Sequence, residues 1–348
     1  MMLTTVTVDT MRAWILNDTD GPDSFSLDEV DTPEPGPGDV RVRIVMSGLN
    51  HLDLWVSQGL PAPGSFPHVA GGDAAGVVDS VGEGVDGWSA GDEVIVDPTV
   101  SCGKCEQCLH DDATYCADFS ILGEHRWGTL AEYVVVPARN LRPKFADLSW
   151  EVAGTFGLVT GTAYRMLKRA RLRRGDTVLV VGIGGGVSSM AFLVAKALGA
   201  RVWVTSRSPE KITWATESGA EGGFDSSADF SKEAKEVTNG GVDIVIENVG
   251  PATWNQSIRS MRKGGRMAVC GGTTGSKVEL SLPALFFKQL EIIGSSMATH
   301  SQFARALHMV ESGDVVVPID SVHDFEDVPA AIERLDSGEH MGKVAIRR

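Results

Sequence analysis

The period of the hydrophobic positions changes near residue 151. From residue 11 onward, short apolar-rich runs stand between turn signals: MRAWILN, FSLDEVD, DVRVRIVMSGLN, AAGVVDSV, DEVIVD and AEYVVVPARNL. Near-alternating runs of this length, broken by Gly, Pro, Asn and Asp, predict an irregular β-rich domain over residues 11–155. Beyond it, the apolar runs TVLVVG, RVWVTS, DIVIENVG, RMAVCGG and EIIGSS are separated by stretches of helical spacing such as SSMAFLVAKALGA and SPEKITWATESGA. Strands without a polar face, joined by crossover-length helices, predict a doubly wound α/β domain with a parallel sheet over residues 156–297. Residues 298–348 carry helical patterns at SQFARALHMVESG and VPAAIERLDSG and a strand at KVAIRR, and are expected to return to the first domain. Residues 1–10 have no clear period and are expected to fray.

The 348 residues leave room for two cores, and a hydrophobic share of 43% with 22% charged residues is ordinary for a globular chain. No apolar run approaches the roughly 20 residues that span a bilayer. The start shows no signal-peptide pattern, so a cytoplasmic location is expected. A formal net charge of -15 argues against nucleic acid and anionic membranes as partners. It does not exclude an anionic cofactor, because charges beyond about 8 Å are screened and a small basic group can hold one phosphate. The dense basic stretch Arg165, Lys168, Arg169, Arg171, Arg173, Arg174 reads as the solvated face of a helix leading into the strand at Thr177.

Four of the five cysteines, Cys102, Cys105, Cys108 and Cys116, fall in the segment SCGKCEQCLHDDATYC as C-x2-C-x2-C-x7-C. Four thiolates at this density can close a tetrahedron around Zn²⁺ with no open position, which makes a structural site. An iron–sulfur cluster is the next reading and two disulfides the last, since disulfide frameworks belong to small secreted chains. Cys270, in RMAVCGG, reads as a buried strand residue without a function.

The segment TVLVVGIGGGVSSMAFLVAKALGA is a strand, a glycine-rich turn and a helix in succession. Gly182, Gly184, Gly185 and Gly186 would let the backbone approach a pyrophosphate lying on the free N–H groups of the helix start. A flexible turn is the alternative, but the flanking strand and helix and the second strand about twenty residues on supply the context a dinucleotide site requires. NAD sites place an acid at the end of that second strand. Here the end reads Thr205, Ser206, Arg207, Ser208, with Lys211 one turn on, which favours NADP(H) over a solvent-exposed loop with incidental basic residues, because Ser206 can donate to a 2′-phosphate and Arg207 and Lys211 bring positive charge.

With its cysteine lobe, its glycine-rich turn and the stretch SGLNHLDLWVSQG, the chain resembles a medium-chain dehydrogenase/reductase from about Met11 to the C-terminus. The resemblance implies a GroES-like catalytic domain joined to a Rossmann domain, with the active site in the cleft between them, and a homodimer or homotetramer. It also implies cofactor contacts at Thr160, Val187, Ser188, Asn248, Val249, Gly271, Thr273, Ser295 and Ser296. Ser188 stands where many members have the last glycine of the turn.

Zinc alcohol dehydrogenases of this family hold a catalytic zinc through two cysteines and a histidine, often with a neighbouring glutamate. The matching positions here read Asn50, Gly72-Asp73 and a place near Leu158, so a catalytic zinc is not expected. GLNHLD is instead similar to the signature of the quinone-oxidoreductase and enoyl-reductase branch, which usually lacks a cysteine lobe. The implied activity is NADPH-dependent hydride transfer to an activated double bond or a quinone, with charge spread over an enolate that a few fixed donors can stabilise. Asn50 and His51 are the expected donors, and Asp53 joins them if 51–53 is extended, against a role as a turn-stabilising acid. A dehydrogenase with a metal relocated to His51, His68, Asp73 or His125 is the second reading, and a non-enzymatic NADPH-binding protein the third. Trp55, Trp88 and Trp127 could line a pocket or a core.

Overall fold

In a computed structural model the chain, described over residues 9–348, forms two compact units. The first comprises the residues up to Leu158 together with Ile319–Arg348, and the second Val159–Pro318.

The first unit is built on a mainly antiparallel sheet. Its strands run in the order Leu141–Pro143, Glu93–Val96, Asp73–Val81, Asp39–Gly48, Lys343–Arg347, Ile319–Asp324, with Tyr133–Pro137 also paired to Asp39–Gly48. The alternation read from DVRVRIVMSG appears as inward Val40, Val42, Ile44 and Met46 against exposed or half-exposed arginines. Register matters for the site. Gly48 pairs with Asp73 on one side and Ala345 on the other, so carrying the antiparallel ladder two residues further puts Lys343 level with Asn50. A smaller sheet of Phe25–Asp31, Thr10–Leu16 and His68–Val69 carries Trp14 and Leu16 into a core shared with the helix Val328–Asp336.

The second unit holds a six-stranded parallel sheet in the order Gly222–Asp225, Arg201–Ser206, Thr177–Val180, Val242–Glu247, Met261–Val269, Glu291–Gly294. In chain order this is 3-2-1-4-5-6, whose direction of winding reverses between Thr177–Val180 and Val242–Glu247, the place where doubly wound sheets bind nucleotides. All five strands expected from apolar runs are present. The sixth, Gly222–Asp225, is a four-residue edge strand with two glycines and no apolar run to betray it.

Three expectations are corrected. Residues 298–318 belong to the second unit, because the helix His300–Glu311 packs there: Gln302 accepts from Arg165 at 3.1 Å, and Ala298 and Phe303 face Gly161. Arg165 is accordingly buried and is not part of a solvated helix face, although Lys168 is exposed. Residues 51–53 are not extended, since His51–Ser57 is a helix. The expected fraying at 1–10 falls mostly outside the described residues.

Candidate active site

The first unit gathers the positions read as former metal ligands. Asn50 lies two residues past the strand Asp39–Gly48 and caps the helix His51–Ser57. Its Nδ2 donates to Asp73 Oδ2 at 3.0 Å and to the Gly48 carbonyl at 3.3 Å. Asp73 Oδ1 accepts from the Leu158 backbone N–H at 2.6 Å. A Cβ on Gly72 would lie 2.9 Å from Leu158 Cδ1 and 3.9 Å from Asn50 Nδ2. Asn50, Gly72 and Leu158 are therefore neighbours, and none offers a thiolate or imidazole.

A fourth residue completes this cluster. Lys343 Nζ donates to the Leu49 carbonyl at 2.7 Å, to Asn50 Oδ1 at 2.6 Å and to Asp73 Oδ2 at 3.1 Å, with the side chains of Lys343 and Asp73 only 2% and 1% exposed. Sequence reasoning passed over Lys343 as the first residue of a strand. The available signal was a lysine leading the wholly apolar run VAI.

Asn50 has both amide N–H groups engaged, so the expected free donor is absent there. Asp53 accepts the Asn50 backbone N–H at 2.8 Å and the Gly71 N–H at 2.9 Å, one on each oxygen, closing the helix start as a turn-stabilising acid. Burial pushes its carboxyl up to about 6, against the pull of those two N–H groups and of Lys343. His51 is half-buried beside Trp55, with ring centroids 5.4 Å apart. Burial lowers its pKa despite the nearby negative charge of Asp336, so the imidazole is neutral at pH 7.

The other polar candidates lie elsewhere. His68 is buried with Nε2 3.0 Å from the Gly123 carbonyl, and burial lowers its pKa. His125 Nδ1 accepts from the Ile121 N–H at 3.3 Å. Trp88 and Trp127 donate to the carbonyls of Ala138 and Pro67. Among the described residues, the one group of three or more His, Cys, Asp or Glu with donors close enough for a metal is the cysteine lobe.

In that lobe all four sulfurs lie within 4.8 Å of one another, with Cys102 to Cys108 at 3.8 Å and Cys105 to Cys108 at 3.5 Å. Four sulfurs about 2.3 Å from one Zn²⁺ in a tetrahedron stand about 3.8 Å apart, so the arrangement fits a structural zinc. The thiols are not paired as disulfides. Backbone N–H groups of Lys104 and Cys105 pull the Cys102 thiol down to about 6, while against the pull of the Cys108 N–H the Cys108 thiol and desolvation push Cys105 up to about 11, so the four thiols do not ionise together until a metal draws them to thiolates.

In the second unit the glycine turn stands at the winding reversal. Gly182 N–H donates to Thr205 Oγ1 at 3.1 Å, and Gly182 and Gly184 have φ of 75° and 114°, conformations that glycine adopts without strain. Val249 packs over Gly182, and the side chain of Lys211 lies across Gly184. Ser188 is buried and accepts from Asn248 Nδ2 at 3.1 Å, so the serine in place of glycine is accommodated by a hydrogen bond. Gly185 precedes the helix Gly186–Ala197 with no side-chain cap, which leaves N–H groups of Gly186 and Val187 for a ligand. Thr273 N–H donates to the Asn248 carbonyl and Ser295 N–H to that of Val269, which fixes the loops after two neighbouring strands, Gly271 lying in the first.

Two buried hydroxyls, Thr160 Oγ1 and Ser295 Oγ, have no protein partner. Ser206 closes its strand with Oγ accepting from Ser208 N–H at 3.1 Å, which leaves its own proton to give, while Arg207 and Ser296 are exposed. The cradle and the uncapped helix start fit a dinucleotide. Cys270 follows the strand Met261–Val269 as a partly exposed residue, and burial of its thiol beside Glu247 pushes it up to about 12.

Residues 36–145 match the alcohol dehydrogenase GroES-like domain and residues 186–312 the zinc-binding dehydrogenase domain. The chain belongs to the medium-chain dehydrogenase/reductase superfamily. Within this superfamily it is 32% identical to the crotonyl-CoA reductase of Streptomyces collinus, over 94% of this chain and 83% of that protein. A solved NAD-dependent alcohol dehydrogenase is similar with a TM-score of 0.93 at 39% identity, covering 97% of this chain and 100% of the other. A 2-octenoyl-CoA carboxylase reductase, solved with NADP and 2-octenoyl-CoA, gives a TM-score of 0.90 at 30% identity, with 97% and 88% covered. The expected GroES-like and Rossmann domains are thus those of the family. No helix among the described residues is long and apolar enough to cross a membrane.

Proposed function

We propose that this member is an NADPH-dependent reductase of an activated C=C bond, that it works without a catalytic zinc, and that its substrate class is the 2-enoyl thioester. The observation that carries the reading is the donor set around Asp73. The three positions of a family catalytic metal come together as amide, glycine and leucine, and the remaining carboxylate already takes an amide, a backbone N–H and an ammonium. Such a site offers no thiolate or imidazole to hold a Lewis acid and its own donors are already taken, which leaves the neighbouring His51 as donor and suits an acceptor whose charge delocalises into an enolate. The relatives named for crotonyl-CoA and 2-octenoyl-CoA support the thioester as the activating group.

NADPH, when bound, would supply the hydride to the β-carbon, and a proton taken up from solvent would complete the α-carbon. The residues that would hold it are Gly182 and Gly184–Val187 at the pyrophosphate, Ser206, Arg207 and Lys211 at the 2′-phosphate, and Thr160, Ser188, Asn248, Val249, Gly271, Thr273, Ser295 and Ser296 around the rest. On the substrate side, His51 is the donor, with its neutral imidazole able to give an N–H hydrogen bond near pH 7, while Asn50 and Asp53 hold the helix start that carries it. The similarity to a solved NAD-dependent alcohol dehydrogenase favours a second reading, alcohol–aldehyde interconversion. Reduction of crotonyl-CoA with NADPH deuterated at the transferred position separates them. The proposal expects one deuterium at the β-carbon, and turnover of alcohols and aldehydes alone contradicts it.

A homodimer or homotetramer belongs to the same reading. It is supported by the edge strand Glu291–Gly294 and the neighbouring helix Leu282–Lys288, which exposes Phe286 and Phe287. A monomeric mass at micromolar concentration opposes it. A cytoplasmic location, where thiols stay reduced, suits the free cysteines.

A further inference from the structure

We propose that Lys343 is a positioning residue for hydride transfer: its buried ammonium ties the Leu49–Asn50 turn to Asp73 and so fixes the start of the helix that carries His51. This rests on the reductase reading for its activity measurement and on geometry alone for the rest. An ammonium has three N–H groups, and here each has one oxygen, from the Leu49 carbonyl, the Asn50 side chain and the Asp73 carboxylate. These oxygens belong to the end of one strand and the start of its neighbour, with Lys343 itself opening a third. Asp73 extends the tie to the Leu158 backbone. Asn50 is bound from both ends, its amide oxygen by Lys343 and its amide nitrogen by Asp73, so the turn has no freedom to rotate.

An apolar side chain of similar length would fill the same space without the cost of burying a charge, and buried ion pairs are weak devices for stability alone. What the ammonium adds is a fixed geometry at Leu49 and Asn50, immediately before His51. A displacement of about 1 Å in a residue that contacts substrate can cost up to a hundredfold in rate, so a loosened turn reads out in turnover before it reads out in cofactor binding.

The test compares Lys343→Met, Asp73→Asn and the double variant by thermal midpoint, NADPH binding, turnover with crotonyl-CoA and amide hydrogen exchange at Leu49–Leu52. Lys343→Met is expected to lower the midpoint, because it leaves Asp73 charged and unpaired, and to lower kcat at least tenfold with the NADPH Kd within twofold. The double variant is expected to recover most of the midpoint while kcat stays at least tenfold down and exchange at Leu49–Leu52 stays at least tenfold faster. Recovery of kcat and of slow exchange together with the midpoint overturns the proposal, since Lys343 would then serve only to neutralise Asp73. If Lys343→Met does not fold, the double variant decides on the same criteria. A wild type inactive on crotonyl-CoA contradicts the reductase reading and leaves the exchange result to judge the positioning.

Discussion

Replacing Gly184 by alanine perturbs the cofactor cradle at one atom. Its φ of 114° lies where an L-residue is strained, at a cost of about 1–3 kcal/mol. The new Cβ would stand 2.4 Å from Lys211 Cδ, about 1 Å inside ordinary van der Waals contact, so the lysine must swing away. That chain is flexible, so the clash itself adds no more than about 1 kcal/mol, toward the low end for overpacking. The larger effect falls on the ligand, because the displaced ammonium leaves the place from which it would meet the 2′-phosphate. Loss of one charge-assisted contact predicts NADPH binding weaker by roughly tenfold to a hundredfold, with NADH binding changed less. Fluorescence titration with both cofactors and a thermal melt measure the two parts. In a Lys211→Ala background the same substitution should keep its strain cost and lose its discrimination between cofactors. An alanine variant with wild-type NADPH affinity refutes the placement of Lys211 at the phosphate.

Removing the Arg207 charge, as in Arg207→Ala, should raise the KM for NADPH at least tenfold more than that for NADH, and equal use of both cofactors by the wild type would count against the Ser206–Arg207–Lys211 assignment. Cys105→Ser should cost the protein its zinc and its lobe, seen as loss of the metal by elemental analysis and a lower melting point, before the chemistry of the folded remainder changes. Asp53 gives a pH signature. Its folded pKa of about 6 stands above the ordinary aspartate value of 3.8, so the native state holds the proton more tightly, and the group's stabilisation at low pH fades as pH rises from about 4 to about 6, by about 3 kcal/mol in all. Denaturant unfolding of wild type and Asp53→Asn across that range should show the wild type losing stability relative to the variant, and parallel curves would rule the shift out.

The division of the chain was legible because its two units follow different hydrophobic rules, one alternating and one continuous. The strand Gly222–Asp225 was not, since an edge strand of glycines carries no pattern. The helix at His51 was hidden by its seven-residue length, too short to show a period, although Asn50 and Asp53 are spaced as a capping pair. The cysteine lobe and the glycine turn were readable because their chemistry is local in sequence. Lys343 was not, because its meaning comes from Asn50 and Asp73, almost three hundred residues away, and only the sheet register brings them together. The same long reach explains Asn50. Its residue type suggested a donor, and its neighbours had already taken both N–H groups.

Hydride transfer to an enoyl thioester with no metal at the site is decided by measuring zinc per chain and crotonyl-CoA turnover on one preparation. A single zinc, retained through mild chelation, is expected, with NADPH-dependent reduction unchanged by the treatment. Two zincs per chain, with activity that falls as the second is removed and returns when it is restored, would contradict it.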